Sequence, residues 1–137
     1  MKSKGQYTFT EITTQPEAWT DALRAFVAAQ AELEQAWATL NPRQVLFTGC
    51  GSTYYLAKIA AALLQELAGA PAQACPASEL VLFPAQLLLD PAQTLLVTIS
   101  RSGTTTETLA ALDKFKQCGG RAVWAITCYP ESPLARE

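Results

Sequence analysis

Two kinds of hydrophobic pattern alternate along the chain. From Pro16 to Leu40, large apolar residues recur three or four positions apart, which is the spacing of an amphipathic helix. Four short apolar runs follow, and each is bounded by turn residues. These runs predict β-strands at Val45 to Thr48, Ala72 to Cys75, Thr94 to Ile99 and Ala122 to Thr127. The third and fourth runs are continuous and rich in β-branched residues, so we expect both to be buried on both faces.

Helical patterns separate the predicted strands. After the first strand, the spacing predicts a helix that begins at an N-cap, Ser52, and ends at Gly69. Its apolar face consists of Leu56, Ile59, Ala60, Leu63, Leu64 and Leu67. After the third strand, the residues from Thr104 to Glu107 have the form of a capping box at the start of another helix. Strands that alternate with helices predict right-handed βαβ units, and therefore an α/β fold with a parallel sheet.

The composition fits one folded domain with a short polar segment before it. The chain has 137 residues, of which 50% are hydrophobic and 16% are charged, so a disordered chain is excluded. We expect the polar residues 1–15 to be loosely ordered and residues 16–137 to form the domain. The net charge of −2 argues against a nucleic-acid partner, because there is no basic excess to neutralise phosphates. No apolar stretch is long enough to predict a membrane span.

The cysteines and the lack of histidine limit the chemistry. Cys50, Cys75, Cys118 and Cys128 contain no CxxC spacing, so neither a zinc site nor a disulfide framework is expected. We interpret each as a small buried hydrophobe in a reducing compartment, which predicts a cytoplasmic protein without a metal or cofactor. The polar N-terminus also lacks the apolar core of a signal peptide. Because the chain has no histidine, any imidazole in a mechanism must come from another chain or domain.

Two predicted strand-to-helix turns are rich in glycine and hydroxyl groups: FTGCGST at 47–53 and ISRSGTT at 99–105. In a flavodoxin-like strand order the first and third strands are neighbours, and a crevice opens between these turns. Two helix N-termini would meet there and favour an anion. The candidate ligands are two glycines and five small hydroxyl residues: Gly51, Ser52, Thr53, Ser100, Ser102, Gly103 and Thr105. Several hydroxyls suit a phosphate monoester better than a planar carboxylate. The alternative is that these residues only cap helices.

Other motifs for nucleotide binding or hydrolysis are absent from the sequence. A dinucleotide fingerprint would need glycine or alanine where the chain has Tyr54, and no P-loop GxxxxGK[ST] occurs. A nucleophile elbow would need glycine two residues before the serine, but Thr98 precedes Ser100 and Ser100 precedes Ser102. Without a histidine to activate it, a catalytic serine is not expected.

At the two hydroxyl-rich turns the sequence resembles the sugar isomerase (SIS) domain family. The matching stretches are GCGSTYYLAKIAAALLQELAG, ASEL, ISRSGTTTETLAAL and YPESPLARE. Within that family, the chain most resembles the first SIS domain in the isomerase half of glucosamine-6-phosphate synthase and related phosphosugar isomerases and deaminases. The resemblance implies a flavodoxin-like three-layer sandwich that binds a sugar phosphate of the fructose 6-phosphate or glucosamine 6-phosphate class, and it favours a homodimer.

The resemblance also assigns roles to single residues. Phosphate ligands of the family correspond to Thr53, Ser100, Arg101 (through its backbone), Ser102 and Thr105. Ser52 matches a position close to the sugar, and Tyr129 lies where a family loop forms a wall of the sugar site. Two positions depart from the pattern: Arg101 replaces a common glutamine, and the position of Thr104 is often acidic.

Family members of this type carry two SIS domains, and their acid–base glutamate and ring-opening histidine belong to the second half. The sequence ends at Glu137, before a fifth strand and a final helix, so we expect an incomplete SIS domain and cannot name catalytic residues. It would be the N-terminal half of a phosphosugar aldose–ketose isomerase or of an amino-sugar synthase or deaminase. The alternative is a regulatory module that senses a phosphosugar without turnover.

Overall fold

The computed structural model describes residues 4–136, which divide into two units between Thr39 and Leu40. In the first unit, helix α1 (Gln6–Thr13) lies where the sequence predicted a loosely ordered segment, so that expectation is wrong for these residues. The hydroxyls of Thr10 and Thr13 donate to carbonyls one turn earlier, which keeps them compatible with the helix. Residues 1–3 of the predicted polar segment lie outside the described residues.

Helix α2 (Gln15–Leu40) confirms the first predicted helix, and Asn41 ends it with a φ of 38°. Neither α1 nor α2 has a buried side chain. The side chain of Trp19 in α2 is 64% exposed, whereas a tryptophan packed in a core would be mostly buried. In the part of the chain that the structure describes, none of the helices combines the length and apolar character needed to cross a membrane. The boundary at residue 16 stays a prediction.

The second unit contains a parallel sheet of four described strands in the order β2-β1-β3-β4. The strands are β1 (Gln44–Gly49), β2 (Ala72–Pro76), β3 (Thr94–Ile99) and β4 (Ala122–Ile126). The predicted α/β fold, with the first and third strands adjacent, is therefore confirmed. Gly49 pairs with Ile99 across β1 and β3. Because these two strands end level, the turns that follow them start at the same edge of the sheet.

Helices connect the strands, and those after β1 and β3 lie where the sequence predicted them. They are α3 (Ser52–Ala68), α4 (Ala77–Leu82), α5 (Pro84–Leu87), α6 (Thr106–Gln117) and α7 (Pro133–Arg136), with a 3₁₀ turn at Pro91–Gln93. Since β2 and β4 lie on opposite sides of the central pair, right-handed crossovers put α3 and α6 on opposite faces. This gives three layers. The main core cluster consists of Leu46, Cys75, Ala77, Leu80, Leu88, Leu96, Ala111, Leu112, Phe115 and Leu134.

The two strands predicted to be buried on both faces differ. Every residue of β3 is buried, as expected for a central strand. In β4, Ala125 and Ile126 are exposed and the other residues are half-buried, so the prediction is wrong there. The reason is its position, because β4 is an edge strand of the described sheet.

The apolar face predicted for α3 is largely turned to solvent. Leu56, Ile59, Leu63 and Leu67 are between 51% and 80% exposed. The side chains that α3 buries are Ala57 and Ala61. Because these side chains are small, α3 packs closely on β1 and β2 while its larger apolar residues remain outside.

The cysteines also depart from expectation. All four are free, but only Cys75 is buried; Cys50 is half-buried, and Cys118 and Cys128 are exposed. Burial raises the pKa of the Cys75 thiol from 9.0 to about 11, although its hydrogen bond with Thr48 acts to lower it, and the charge of Glu79 raises it further. Cys75 is therefore protonated and unreactive near neutral pH.

Candidate functional site

The first hydroxyl turn, between β1 and α3, is tight and closed on itself. The hydroxyl of Thr53 accepts a hydrogen bond from the Cys50 amide (3.0 Å) and donates to the Cys50 carbonyl (2.9 Å). A side chain at Gly49 would come within 2.6 Å of that hydroxyl, so glycine lets the strand end approach the helix. The hydroxyl of Thr53 is thus engaged within the turn.

The start of α3 differs from the prediction. Its N-cap is Gly51, with φ 58° and ψ −124°, and no side chain caps the helix. Ser52 is the first helical residue and is exposed, so the predicted role of Ser52 as N-cap is wrong. The positive φ explains the shift, because glycine adopts this conformation readily and serine does not.

The second hydroxyl turn, between β3 and α6, is longer and holds its hydroxyls in pairs. Ser100 is 2% exposed, and its Oγ accepts a hydrogen bond from the Gly103 amide (3.1 Å) and lies 3.2 Å from Thr105 Oγ1. Ser102 Oγ accepts hydrogen bonds from the amide (3.2 Å) and the hydroxyl (3.0 Å) of Thr104. These contacts fold the turn around its own side chains.

The capping box predicted at Thr104 is also wrong. Helix α6 begins at Thr106, its N-cap is Thr105, and no side chain makes a capping hydrogen bond. The hydroxyl of Thr104 donates to Ser102 instead of accepting from the helix. The helix starts one residue later than the pattern indicates, because Thr105 is held in an extended conformation beside Ser100.

The segment after β4, residues 127–134, lies along the second turn. The amide of Cys128 and the hydroxyl of Thr127 donate to the carbonyl of Arg101 at 3.1 and 3.3 Å. The amide of Leu134 donates to the carbonyl of Gly103 at 3.1 Å. Gly103 has a φ of 64°, and a side chain there would overlap Ser132. We call residues 127–134 the wall segment.

A shallow cavity of about 490 Å³, open to solvent, lies between the second turn and the wall segment. It is lined by Ser102, Thr104, Tyr129, Glu131, Ser132 and Pro133. The carboxylate of Glu131 forms an exposed ion pair with Arg136 at 2.9 Å. Of the predicted site residues, the structure brings Ser102 and Tyr129 into this cavity, while Gly51, Ser52 and Thr53 belong to the turn at the neighbouring strand end. Arg101 is exposed and contributes its carbonyl to the wall segment.

Three cavity residues were not singled out from the sequence: Glu131, Ser132 and Pro133. Their only signal was the stretch YPESPLARE, which resembles the family but has no glycine-rich or hydroxyl-rich turn. The cavity lining combines the hydroxyl groups of four residues (Ser102, Thr104, Tyr129 and Ser132) with the carboxylate of Glu131. The hydroxyl groups can donate hydrogen bonds to an anion, and helix α6 begins two residues after Thr104.

A parallel sheet whose two central strands end in hydroxyl-rich turns defines an α/β domain. Residues 40–137, more than half of the chain, match the SIS domain family. The chain belongs to this family, and the resemblance identified from the sequence is confirmed.

The relatives of this chain are longer proteins. It is 34% identical over 133 residues to glutamine–fructose-6-phosphate aminotransferase (isomerizing) of Legionella pneumophila, which covers 93% of this chain and 22% of that protein. The crystal structure of tagatose-6-phosphate ketose/aldose isomerase from Escherichia coli superposes with a TM-score of 0.84 at 29% identity, over 96% of this chain and 37% of that one. The C-terminal domain of glucosamine-fructose-6-phosphate aminotransferase from Francisella tularensis gives 0.81 at 26% identity, over 99% and 40%. The chain thus spans less than half the length of these relatives.

Proposed function

We propose that this SIS domain binds a sugar phosphate, and that it is the N-terminal part of a phosphosugar aldose–ketose isomerase or of an amino-sugar synthase or deaminase. The observation that carries the proposal is the pair of hydroxyl-rich turns at the level ends of two adjacent parallel strands. The names of its relatives, which contain fructose 6-phosphate and tagatose 6-phosphate, support the same ligand class.

The hydrogen bonds within the second turn leave hydroxyl protons available, which supports phosphate binding. A serine hydroxyl has one proton to donate and two lone pairs to accept with. Ser102 Oγ already accepts two hydrogen bonds, both from Thr104, so its own proton is available to a ligand. In the Ser100–Thr105 pair only one hydroxyl can donate to the other, which leaves one further proton. We assign these protons to phosphate oxygens.

The remaining proposed contacts come from backbone and from the neighbouring turn. We assign contacts to the main chain of Gly51, Arg101 and Gly103. At Gly51 nothing lies within 4 Å of an added side-chain carbon, so a ligand can approach the backbone closely. Ser52 and Thr53 stand at the N-terminus of α3, where the helix dipole attracts an anion. Tyr129, which lines the cavity, would contact the sugar.

In an intact enzyme, binding of the phosphate group would position the reacting sugar carbons next to a catalytic base. Proton transfer between neighbouring carbons needs such a base within hydrogen-bond reach. We assign phosphate binding to this chain and assign no residue as the base.

We also propose a homodimer in the cytoplasm. The exposed apolar residues of α3, from Leu56 to Leu67, support self-association, because burying them removes apolar surface from water. The four free thiols support a reducing compartment. Sedimentation equilibrium of the wild-type chain and of a Leu63→Glu variant tests the dimer. We expect the wild type to be dimeric and the variant to be monomeric, because the new carboxylate would be buried in the interface.

Calorimetric titration with fructose 6-phosphate and glucosamine 6-phosphate tests the proposed ligand, with the unphosphorylated sugars as references. We expect phosphate-dependent binding that a Ser100→Ala/Ser102→Ala variant weakens on the order of 100-fold, since each lost charge-assisted hydrogen bond contributes about 1.5–3 kcal/mol. Ser78→Ala, in the exposed first turn of α4, is the matched control and should bind normally. Binding of a sugar without phosphate, or no binding by the folded chain, would contradict the proposal.

A further inference from the structure

Ser132, in the wall segment, carries a buried hydroxyl without a partner. The residue is 6% exposed, and within residues 4–136 its Oγ makes no hydrogen bond. Its backbone is engaged, because its amide donates to the Tyr129 carbonyl and its carbonyl accepts from the Ala135 amide. An unpaired buried hydroxyl destabilises a fold, whereas alanine would fill nearly the same space without that cost. Packing alone therefore does not explain a serine at this position.

The position of Ser132 suggests what the hydroxyl does. The side chain packs against Gly103, at the centre of the second hydroxyl turn. Ser132 also lines the same cavity as Ser102, whose proton is available to a ligand. An unpaired donor thus stands beside the group of hydroxyls to which we assign phosphate binding.

We propose that Ser132 is a further phosphate ligand, whose hydroxyl donates its proton to a phosphate oxygen when a ligand occupies the cavity. This inference rests on the function proposed above. In the structure the hydroxyl oxygen packs against Gly103, so contact with a ligand requires rotation about χ1 to another staggered position. The wall segment then contributes a hydrogen bond to the ligand in addition to shaping the cavity.

One other hydroxyl in the described residues is buried without a partner, and it provides a matched control. Thr108 is 1% exposed within α6, its Oγ1 also lacks a hydrogen bond, and it does not line the cavity. Removal of either unpaired hydroxyl should leave stability unchanged or slightly raised. Only removal of the Ser132 hydroxyl should change affinity.

The test is calorimetric titration of the 137-residue chain with inorganic phosphate and with fructose 6-phosphate, alongside thermal unfolding. We expect Ser132→Ala to bind both about tenfold more weakly, as loss of one hydrogen bond to a charged group predicts, while its Tm stays level or rises. We expect Thr108→Val to bind both like the wild type. Because Ser132→Ala deletes an atom that makes no hydrogen bond, we expect the variant to fold.

Each contrary result has a distinct meaning. Normal affinity of Ser132→Ala overturns this inference and leaves the proposed function intact. Equal weakening by Ser132→Ala and Thr108→Val overturns it as well, because the effect would then be a general loosening around α6. Weaker binding of fructose 6-phosphate alone shifts the contact to the sugar and overturns the assignment to phosphate. No binding by the folded wild type overturns both proposals.

Discussion

The turns after β1 and β3 have similar compositions but use their hydroxyls differently. The first connects strand to helix with two residues, Cys50 and Gly51, and uses the Thr53 hydroxyl to close on itself. The second has six residues, 100–105, and its hydroxyls bond one another while two protons remain available. A short turn must use its hydroxyl to hold its shape, whereas a longer turn can also present donors to a ligand.

Hydrogen bonds from residues far along the chain hold the longer turn in place. Its carbonyls at Arg101 and Gly103 accept hydrogen bonds from the wall segment, more than 25 residues later in the chain. Comparable bonds in the first turn are between neighbours. We therefore expect substitutions in the second turn to have the larger consequences.

The largest expected effect is that of Gly103→Ala. The new side chain would overlap Ser132 and require a positive φ, which together should destabilise the fold by about 3 kcal/mol or more. Gly51→Ala meets only the conformational cost of about 1–2 kcal/mol, since nothing lies within 4 Å of the added carbon. Urea unfolding of both variants measures the difference. Equal losses would show that the second turn is not more constrained than the first.

The strand ends beneath the turns differ in their response to alkaline pH. Cys75 in β2 pairs with Thr48 just below the first turn, and its pKa is raised from 9.0 to about 11. Because the folded state holds this proton more tightly than the unfolded state, the contribution is present below pH 9 and is lost as the pH rises through 11. The expected loss is about 3 kcal/mol when complete, of which about 2 kcal/mol is lost by pH 10.5.

Urea unfolding of the wild type and Cys75→Ala at pH 8 and pH 10.5 measures this contribution. The variant should have a shallower pH dependence, since it lacks the thiol. An identical dependence in the two proteins would mean that other groups cause the alkaline loss.

We expect a smaller difference in the free energy of unfolding between Ser100→Ala and Thr53→Ala. Ser100 is buried, and its hydroxyl makes hydrogen bonds with the Gly103 amide and the Thr105 hydroxyl. Ser100→Ala should therefore destabilise the fold by about 1–2 kcal/mol. Thr53 is half-buried and bonds Cys50 alone, and its loss should cost about 1 kcal/mol. Differential scanning calorimetry would rank the two. The reverse order would place the more important network in the first turn.

The smallest effect belongs to Thr104→Ala. A capping threonine contributes about 1 kcal/mol, but Thr104 is exposed and bonds Ser102 instead of the helix. We expect a loss below about 0.5 kcal/mol by thermal unfolding, with Ser102 freed of one partner. A loss of the full capping value would restore the interpretation drawn from the sequence.

Much of the fold could be predicted from local pattern. The strands and helices of residues 44–126 lie within a few residues of the predicted positions, because their periodicity and turn residues act over short distances. The exceptions have tertiary causes. β4 is exposed because it is an edge strand of the described sheet. Leu56 of α3 is exposed because the small residues of that helix are the ones that contact the sheet.

The sequence by itself determined the βαβ order and the two hydroxyl-rich turns, since these follow from periodicity and turn chemistry. The adjacency of β1 and β3 was assumed from a flavodoxin-like strand order, and the structure confirms it. Only the tertiary structure decided which hydroxyls keep a proton for a ligand, and that Ser132 stands against Gly103. The reason is that the folded conformation of residues 100–105 sets which hydroxyls bond one another, and distant contacts such as that of Leu134 with Gly103 hold this conformation. Residue types alone do not reveal that allocation.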